Sequence, residues 1–96
     1  MTAQELAEFI ARSGHGEELS GLFQKLGFSV DFVAQQVLSH DGPVTVSRVA
    51  MLWMGMPNKH DRKRTRQLFD ALTEIGLLQA QGDDETWLPT ASAGER

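Results

Sequence analysis

Several features that would assign a chemistry or a compartment are missing from this sequence of 96 residues. It contains no cysteine, which excludes a disulfide framework and a thiolate metal site and fits a reducing compartment. No apolar run approaches the roughly 18 residues that a membrane-spanning helix needs. Glu5 and Glu8 interrupt the apolar pattern of the N-terminal segment, unlike the continuous apolar stretch of a signal peptide. We therefore expect a cytoplasmic protein that does not contact membranes.

Motifs that would indicate an enzyme are also missing. The histidines, His15, His40 and His60, are far apart and form no ligand-like pair, so no shared metal site is expected. The segment Ser13-Gly14-His15-Gly16 lacks the lysine and hydroxyl residue that complete a phosphate-binding loop. No serine stands in a nucleophile-elbow context. The sequence thus predicts a protein that is not an enzyme and needs no cofactor.

The charge distribution contains one basic segment within an acidic chain. The net charge is -4, yet residues 59–66 carry five basic residues against the single acid Asp61. The segments on both sides are net acidic. With 41% hydrophobic and 23% charged residues the chain has the composition of a globular domain. Such a localised asymmetry indicates a localised anionic partner.

Apolar spacing and capping residues predict five helices and a β-hairpin. The first two helices cover about residues 3–13 and 17–26, and the third follows the cap Ser29 and ends at residues 41–43. The β-branched residues 44–46 predict a short extended segment. Ser47 is predicted to cap a fourth helix at about 48–55, and Asn58 a fifth that runs to Ile75. Residues 77–80 and 85–88 predict hairpin strands, with Pro89 ending the second.

The fourth predicted helix is apolar nearly all round. At about 100° per residue, one side carries four apolar side chains and the other carries two methionines. The first group is Val49, Leu52, Trp53 and Met56, and the second is Met51 and Met54. Either the N-terminal helices cover both sides, or an exposed apolar patch is left that could bind a partner. Because methionines more often fill a core, we favour the first alternative.

The fifth predicted helix is amphipathic. Its inner face consists of one polar and four apolar residues, namely Thr65, Leu68, Phe69, Leu72 and Ile75. Lys59, Arg62, Lys63 and Arg66 then spread along one outer flank of its N-terminal half, and His60 and Arg64 lie on the other flank. The helix thus presents a basic outer surface about two turns long.

From Val30 onward the predicted order is helix, extended segment, short helix, tight turn, longer helix and hairpin. Two stretches fit this order closely, PVTVSRVA at residues 43–50 and LTEIGLL at residues 72–78. On these grounds the sequence resembles the winged helix-turn-helix superfamily of bacterial and phage type over about residues 29–89. The resemblance implies a mainly α fold with a small β-hairpin. Residues 1–28 would then form an N-terminal extension of two short helices, and residues 90–96 a flexible tail.

The resemblance makes residues 58–75 a recognition helix and implies a DNA-binding transcriptional regulator. Cations on its outer face suit the phosphates of double-stranded DNA, and Gln67 is placed for a bidentate contact to adenine. The candidate nucleic-acid-binding residues are Lys59, His60, Arg62, Lys63, Arg64, Arg66 and Gln67, with Ser47 and Arg48 from the fourth helix. Because one such helix buries little surface, we expect a homodimer.

Two other interpretations of the basic helix remain open. The cations could pair with Asp61, Asp70 and Glu74 in an ordinary solvated face. Alternatively the chain is a small adaptor or inhibitor from a mobile element that binds a protein or a protein–nucleic-acid complex through the same surface. Residues 83–85, all acidic, would lie near the hairpin tip, where DNA would repel them. Either the hairpin then stays off the DNA, or the domain uses this frame for protein contacts.

Overall fold

A computed structural model of the chain describes residues 2–14, 16–39, 42–82 and 86–90. These ranges contain five helices, one π-helical segment and three short strands. The helices are α1 (Ala3–Arg12), α2 (Gly16–Leu26), α3 (Val30–Phe32, continued by the π segment Val33–Val37), α4 (Val46–Met54) and α5 (Lys59–Glu74). The strands are β1 (Val44–Thr45), β2 (Leu78–Ala80) and β3 (Thr86–Pro89). The predicted mainly helical fold with a small β-hairpin is confirmed.

Local capping explains where the first three helices begin and end. Thr2 and Glu5 form a capping box at α1, since each side chain accepts the other residue's backbone N–H, at 3.1 and 2.9 Å. Gly27 ends α2 with a φ of 84°, a conformation that favours glycine. The Ser29 hydroxyl accepts the N–H of Phe32 at 3.1 Å, which confirms the predicted cap of α3.

The third helix changes its hydrogen-bond pattern after one turn. Val33–Val37 is π-helical, and the N–H of Leu38 donates to the carbonyl of Val33 at 3.0 Å. The side chains of Val33, Ala34 and Val37 are fully buried. These three side chains anchor the segment in the hydrophobic core. The wider turn was not predicted, because side-chain periodicity does not report which carbonyl each N–H selects.

The start of α4 differs from the prediction. Thr45, with an extended backbone, is the N-cap, and its hydroxyl accepts the N–H of Arg48 at 3.2 Å. The helix thus begins at Val46, two residues earlier than expected, and the predicted Ser47 cap is wrong. Ser47 lies exposed in the first turn, because the last residue of β1 already supplies the capping oxygen.

α5 matches its prediction closely. Asn58 caps it, and Leu68, Phe69 and Leu72 are fully buried together with Thr65. The helix ends before Gly76, whose φ is 88°. This confirmed inner face fixes which side chains of α5 point outward.

The strands form one antiparallel sheet in the order β1-β3-β2. Val44 pairs with Trp87, and Leu78 pairs with Pro89. β2 begins one residue later than predicted and ends at Ala80 as predicted, whereas β3 lies one residue later than the predicted strand 85–88 and includes Pro89. The pairing of β1 with β3 was not predicted, since the two segments are about forty residues apart in sequence. The acidic residues 83–85 and the tail residues 91–96 lie outside the described residues.

The helices and the sheet share one hydrophobic core. α1 packs against α2, α3 and the π segment, whereas α2 packs against α5. Leu6, Phe23 and Phe69 from these elements belong to the same buried cluster. Within the described ranges no helix is long and apolar enough to cross a membrane.

The methionines of α4 were expected to be buried, but the outer side of this helix is exposed. Val49 is fully buried and Trp53 is half-buried, as predicted. Leu52 and Met56, expected on the same side, are 49% and 92% exposed. Gly55 turns the chain out of the helix with a φ of 73°, so Met56 no longer follows the helical period. Because α1 and α2 pack elsewhere, they leave the outer side of α4 open.

Candidate nucleic-acid interface

A groove with a volume of about 480 Å³ separates the amino-terminal half of α5 from the start of α4. It is lined by Thr45, Val46, Ser47, Lys59, Arg62, Lys63 and Arg66. Four of these seven residues are cationic, and no acidic residue is among them. The amino end of α4 adds the positive end of a helix dipole. We call this concave surface the basic groove.

The cations of α5 point into the groove because the opposite face of the helix is buried. With Thr65, Leu68 and Phe69 held in the core, the residues at the opposite azimuth must face outward. Lys59 and Lys63 are four residues apart and therefore follow one another along this side. In the part of the chain that the structure describes, neither lysine forms an ion pair, and both are exposed. Their ammonium groups remain available to an anion.

Two arginines complete the groove and have additional contacts. Arg62 donates from Nη1 to the carbonyl of Pro57 at 3.2 Å, which holds it over the turn between α4 and α5. Arg66 lies 3.9 Å from the carboxylate of Asp70 and over the ring of Trp87, 5.6 Å from its centroid. Its side chain stays 47% exposed, and a surface pair of this length is weak. Arg66 therefore lies where the groove approaches the sheet.

Arg64 lies outside the groove. Its Nη2 donates to Oδ1 of Asp61 at 2.8 Å, and its guanidinium lies 4.9 Å from the centre of the Trp53 ring. The predicted position on the opposite flank agrees with this placement. Since one of its donors and its planar face already have partners within the chain, Arg64 is the least available of the five cations.

Asp61 is a structural residue that sequence reasoning treated only as a surface charge. It is 3% exposed, and its Oδ2 accepts the N–H of Asn58 at 3.0 Å while the Asn58 side chain accepts the N–H of Asp61 at 2.9 Å. This reciprocal pair is a capping box. The backbone N–H of Asn58 and then the Arg64 guanidinium lower the pKa of the Asp61 carboxyl. The Asn-x-x-Asp spacing before the helix was the signal that could have identified it.

A partly buried polar contact joins α4 to α5. The indole Nε1 of Trp53 donates to Oγ1 of Thr65 at 3.0 Å, and Thr65 donates to the carbonyl of Asp61 at 2.9 Å. Phe28 packs edge-on against the Trp53 ring, with centroids 4.9 Å apart. This junction is one of the contacts that hold α4 against α5, the two helices that line the basic groove.

Of the other predicted residues, Ser47 lines the groove, and Gln67, His60 and Arg48 lie around it. Gln67 is exposed one turn after Lys63, and His60 and Arg48 are exposed outside the lining. Ser47 does line it, although its predicted capping role is wrong. The structure therefore brings together Ser47 and four of the predicted cations. Sequence reasoning missed Thr45 and Val46, because their place in the groove depends on how β1 turns into α4.

Comparisons with known proteins gave no match: no family model fits the chain, and neither curated sequences nor solved structures contain a significantly similar protein.

Proposed function

We propose that the chain is a winged-helix protein that binds double-stranded DNA and regulates transcription, with α5 as its recognition helix. The element order from α3 to β3 supports this proposal, as does the antiparallel pairing of β1 with β3 beside the hairpin. The turn at Gly55 and Pro57 between α4 and α5 fits a helix-turn-helix unit. The protein would act by binding, without catalysis or a cofactor.

The observation that carries the proposal is the basic groove. DNA presents regularly spaced phosphates, and a protein gains affinity by placing Lys and Arg against them. Lys59, Arg62 and Lys63 occupy the amino-terminal half of α5, the part of a recognition helix that meets the bases and flanking phosphates. We assign these three residues and Arg66 to phosphate contacts.

The remaining predicted residues would extend the interface around this centre. Gln67, exposed on the next turn, would reach a base edge, with adenine as the best bidentate partner. Asp70 and Glu74 follow on the same helix, so contact with DNA would end near Gln67. Ser47 and Arg48 would meet the backbone from the first turn of α4. Two copies on a palindromic site would supply the surface that one helix lacks.

A matched pair of charge-reversal variants tests the proposal. Lys63→Glu with Arg66→Glu should weaken duplex binding by about tenfold or more, because two phosphate contacts become repulsive. Arg12→Glu with Lys25→Glu makes the same change of net charge on α1 and α2, away from the groove. The control variant should keep its affinity, measured by fluorescence anisotropy, and both should retain the circular dichroism of the parent. An equal loss of duplex affinity in the two variants would show that binding depends on net charge alone and would reject the groove as the binding site.

A second candidate is an adaptor or inhibitor that binds an acidic protein surface through the same groove. It is favoured by the engagement of Arg64 with Asp61 and Trp53, which reduces the number of cations that DNA could use. The two candidates differ in their response to duplex DNA. An adaptor of this kind would show no duplex binding near physiological salt.

A further inference from the structure

The outer face of α4 and the turn after it form an exposed apolar surface. Met51, Leu52 and Met54 are 59%, 49% and 43% exposed, and Met56 is 92% exposed. Met51 and Met54 are three residues apart and share one side of the helix. We call these four residues the methionine patch. Single exposed apolar residues are common on protein surfaces, whereas four exposed apolar side chains within residues 51–56 concentrate apolar surface in the way that contact sites do.

Within the described ranges, much of the methionine patch is open to solvent. A Cβ placed on Gly55, which lies between its members, would meet no atom within 4 Å. α4 also cannot turn the patch inward, because Val49 and Ala50 fill the opposite side and Trp53 is bonded to Thr65. The exposure is therefore a consequence of how α4 is anchored.

The segment of the chain that carries the patch is basic. Residues 42–60 include Arg48 and Lys59 but no Asp or Glu. Arg48 lies one helical turn before the patch on the same exposed side of α4. Arg62 reaches the carbonyl of Pro57 at 3.2 Å, beside the last residue of the patch. An apolar surface with cationic borders complements a ligand that is apolar in the centre and acidic at its edges.

The size of the patch decides between a second copy and a smaller ligand. A stable interface buries about 800 Å² on each partner and involves roughly 20 to 30 residues a side. Four side chains fall well below this requirement, and a symmetric contact between two copies would bring two sets of basic borders together. One amphipathic helix needs only a few anchors at i, i+3, i+4 and i+7. Flexible methionines adapt well to such anchors.

We propose that the methionine patch docks an acidic amphipathic helix of a partner protein. The apolar anchors of that helix lie on Met51, Leu52, Met54 and Met56, and its carboxylates face Arg48 and Lys59. This surface adjoins the basic groove and shares Lys59 with it, and the proposal does not depend on DNA binding. It gives the domain a site for a second macromolecule.

The ε-methyl NMR signals of methionine report directly on this surface. The chain has four methionines, of which three belong to the patch and Met1 does not. The probe is a synthetic helical peptide of about 16 residues, with leucines at i, i+3, i+4 and i+7 and glutamates on both flanks. One control peptide has the same composition in scrambled order, and a second has lysine in place of every glutamate.

The acidic amphipathic peptide should shift the signals of Met51, Met54 and Met56 while leaving Met1 unchanged. The double variant Leu52→Gln, Met56→Gln should bind the peptide about tenfold more weakly. The variant Met56→Leu should keep the affinity of the parent. Circular dichroism should be the same for all variants, because these side chains are exposed.

Two results would overturn the proposal. The first concerns the NMR response of the patch methionines. If the acidic peptide causes no shift, the patch does not bind it; an equal shift with the scrambled peptide would exclude the amphipathic pattern, and an equal shift with the lysine peptide would exclude a role for charge. The second is a dimer of the free chain in sedimentation experiments that the Leu52→Gln, Met56→Gln variant converts to a monomer. That outcome would make the patch a contact between copies of the chain.

Discussion

Replacing Thr65 by valine removes the acceptor that holds α4 against α5 and keeps the volume of the side chain. The indole of Trp53 then loses its hydrogen bond of 3.0 Å. The carbonyl of Asp61 also loses the Thr65 hydroxyl, at 2.9 Å. Loss of the indole contact should dominate, because that carbonyl still accepts a backbone N–H in the helix.

The expected cost of Thr65→Val is set by the net worth of one hydrogen bond. A typical intramolecular hydrogen bond contributes about 1 kcal/mol, and more when its partner is left unsatisfied in a buried place. Since this hydrogen bond is only partly buried, about 1 kcal/mol is the appropriate figure. In a domain of this size that corresponds to a fall of about 4 to 8 °C in Tm.

Thr73→Val is the matched control for this measurement. Thr73 lies on the same helix and donates to the carbonyl of Phe69 at 2.8 Å, which reproduces the local bond of Thr65 without an indole partner. Helix propensities of threonine and valine are similar, so the difference between the variants isolates the Trp53 contact. Urea unfolding followed by circular dichroism gives both free energies. A Thr65→Val protein as stable as Thr73→Val would show that the junction does not hold the two helices.

Two further perturbations test the anchoring of α5. Leu72→Ala should lower the free energy of unfolding by about 2 to 5 kcal/mol, because this side chain is fully buried; an unchanged urea midpoint would contradict the phase of the helix. Asp61→Asn tests the capping box through pH. Because the pKa of Asp61 is lowered in the folded state, its carboxylate stabilises the fold above the ordinary value of about 3.9 and loses this effect as pH falls through the folded value. The difference in free energy of unfolding between the parent and Asp61→Asn should therefore narrow as the pH falls below about 5. A difference that stays constant from neutral pH to about pH 2 would show that the charge of the carboxylate does not contribute to the cap.

Local sequence signals were sufficient where one helix face is strongly apolar and its ends are capped. α5 meets both conditions, with Asn58 before it and Gly76 after it, and its inner face could be read from spacing alone. The same phase placed Lys59 and Lys63 on one outer flank. The lining of the basic groove from α5 was thus predictable, because it follows from the helix period.

Tertiary features had no comparable signal. The exposure of Met51 and Leu52 depends on where α1 and α2 pack, and apolar residues on all sides of a helix fit both a covered and an open position. The pairing of Val44 with Trp87 joins distant segments, which no local pattern specifies. The burial of Asp61 follows from a reciprocal cap and its contact with Arg64, although charged residues are rarely buried.

The most direct test of DNA binding through the basic groove is the salt dependence of affinity for a random-sequence duplex. Each neutralised phosphate contributes about -0.9 to the slope of log affinity against log salt. If the four groove cations each neutralise one phosphate, the slope should be about -3 to -4 per chain. Lys59→Gln should reduce the steepness by about one unit per chain while leaving sequence preference unchanged. Anisotropy titrations between about 50 and 200 mM salt measure both quantities. No duplex binding at the lowest salt, or a slope that Lys59→Gln leaves unchanged, would contradict a phosphate-binding role for the groove.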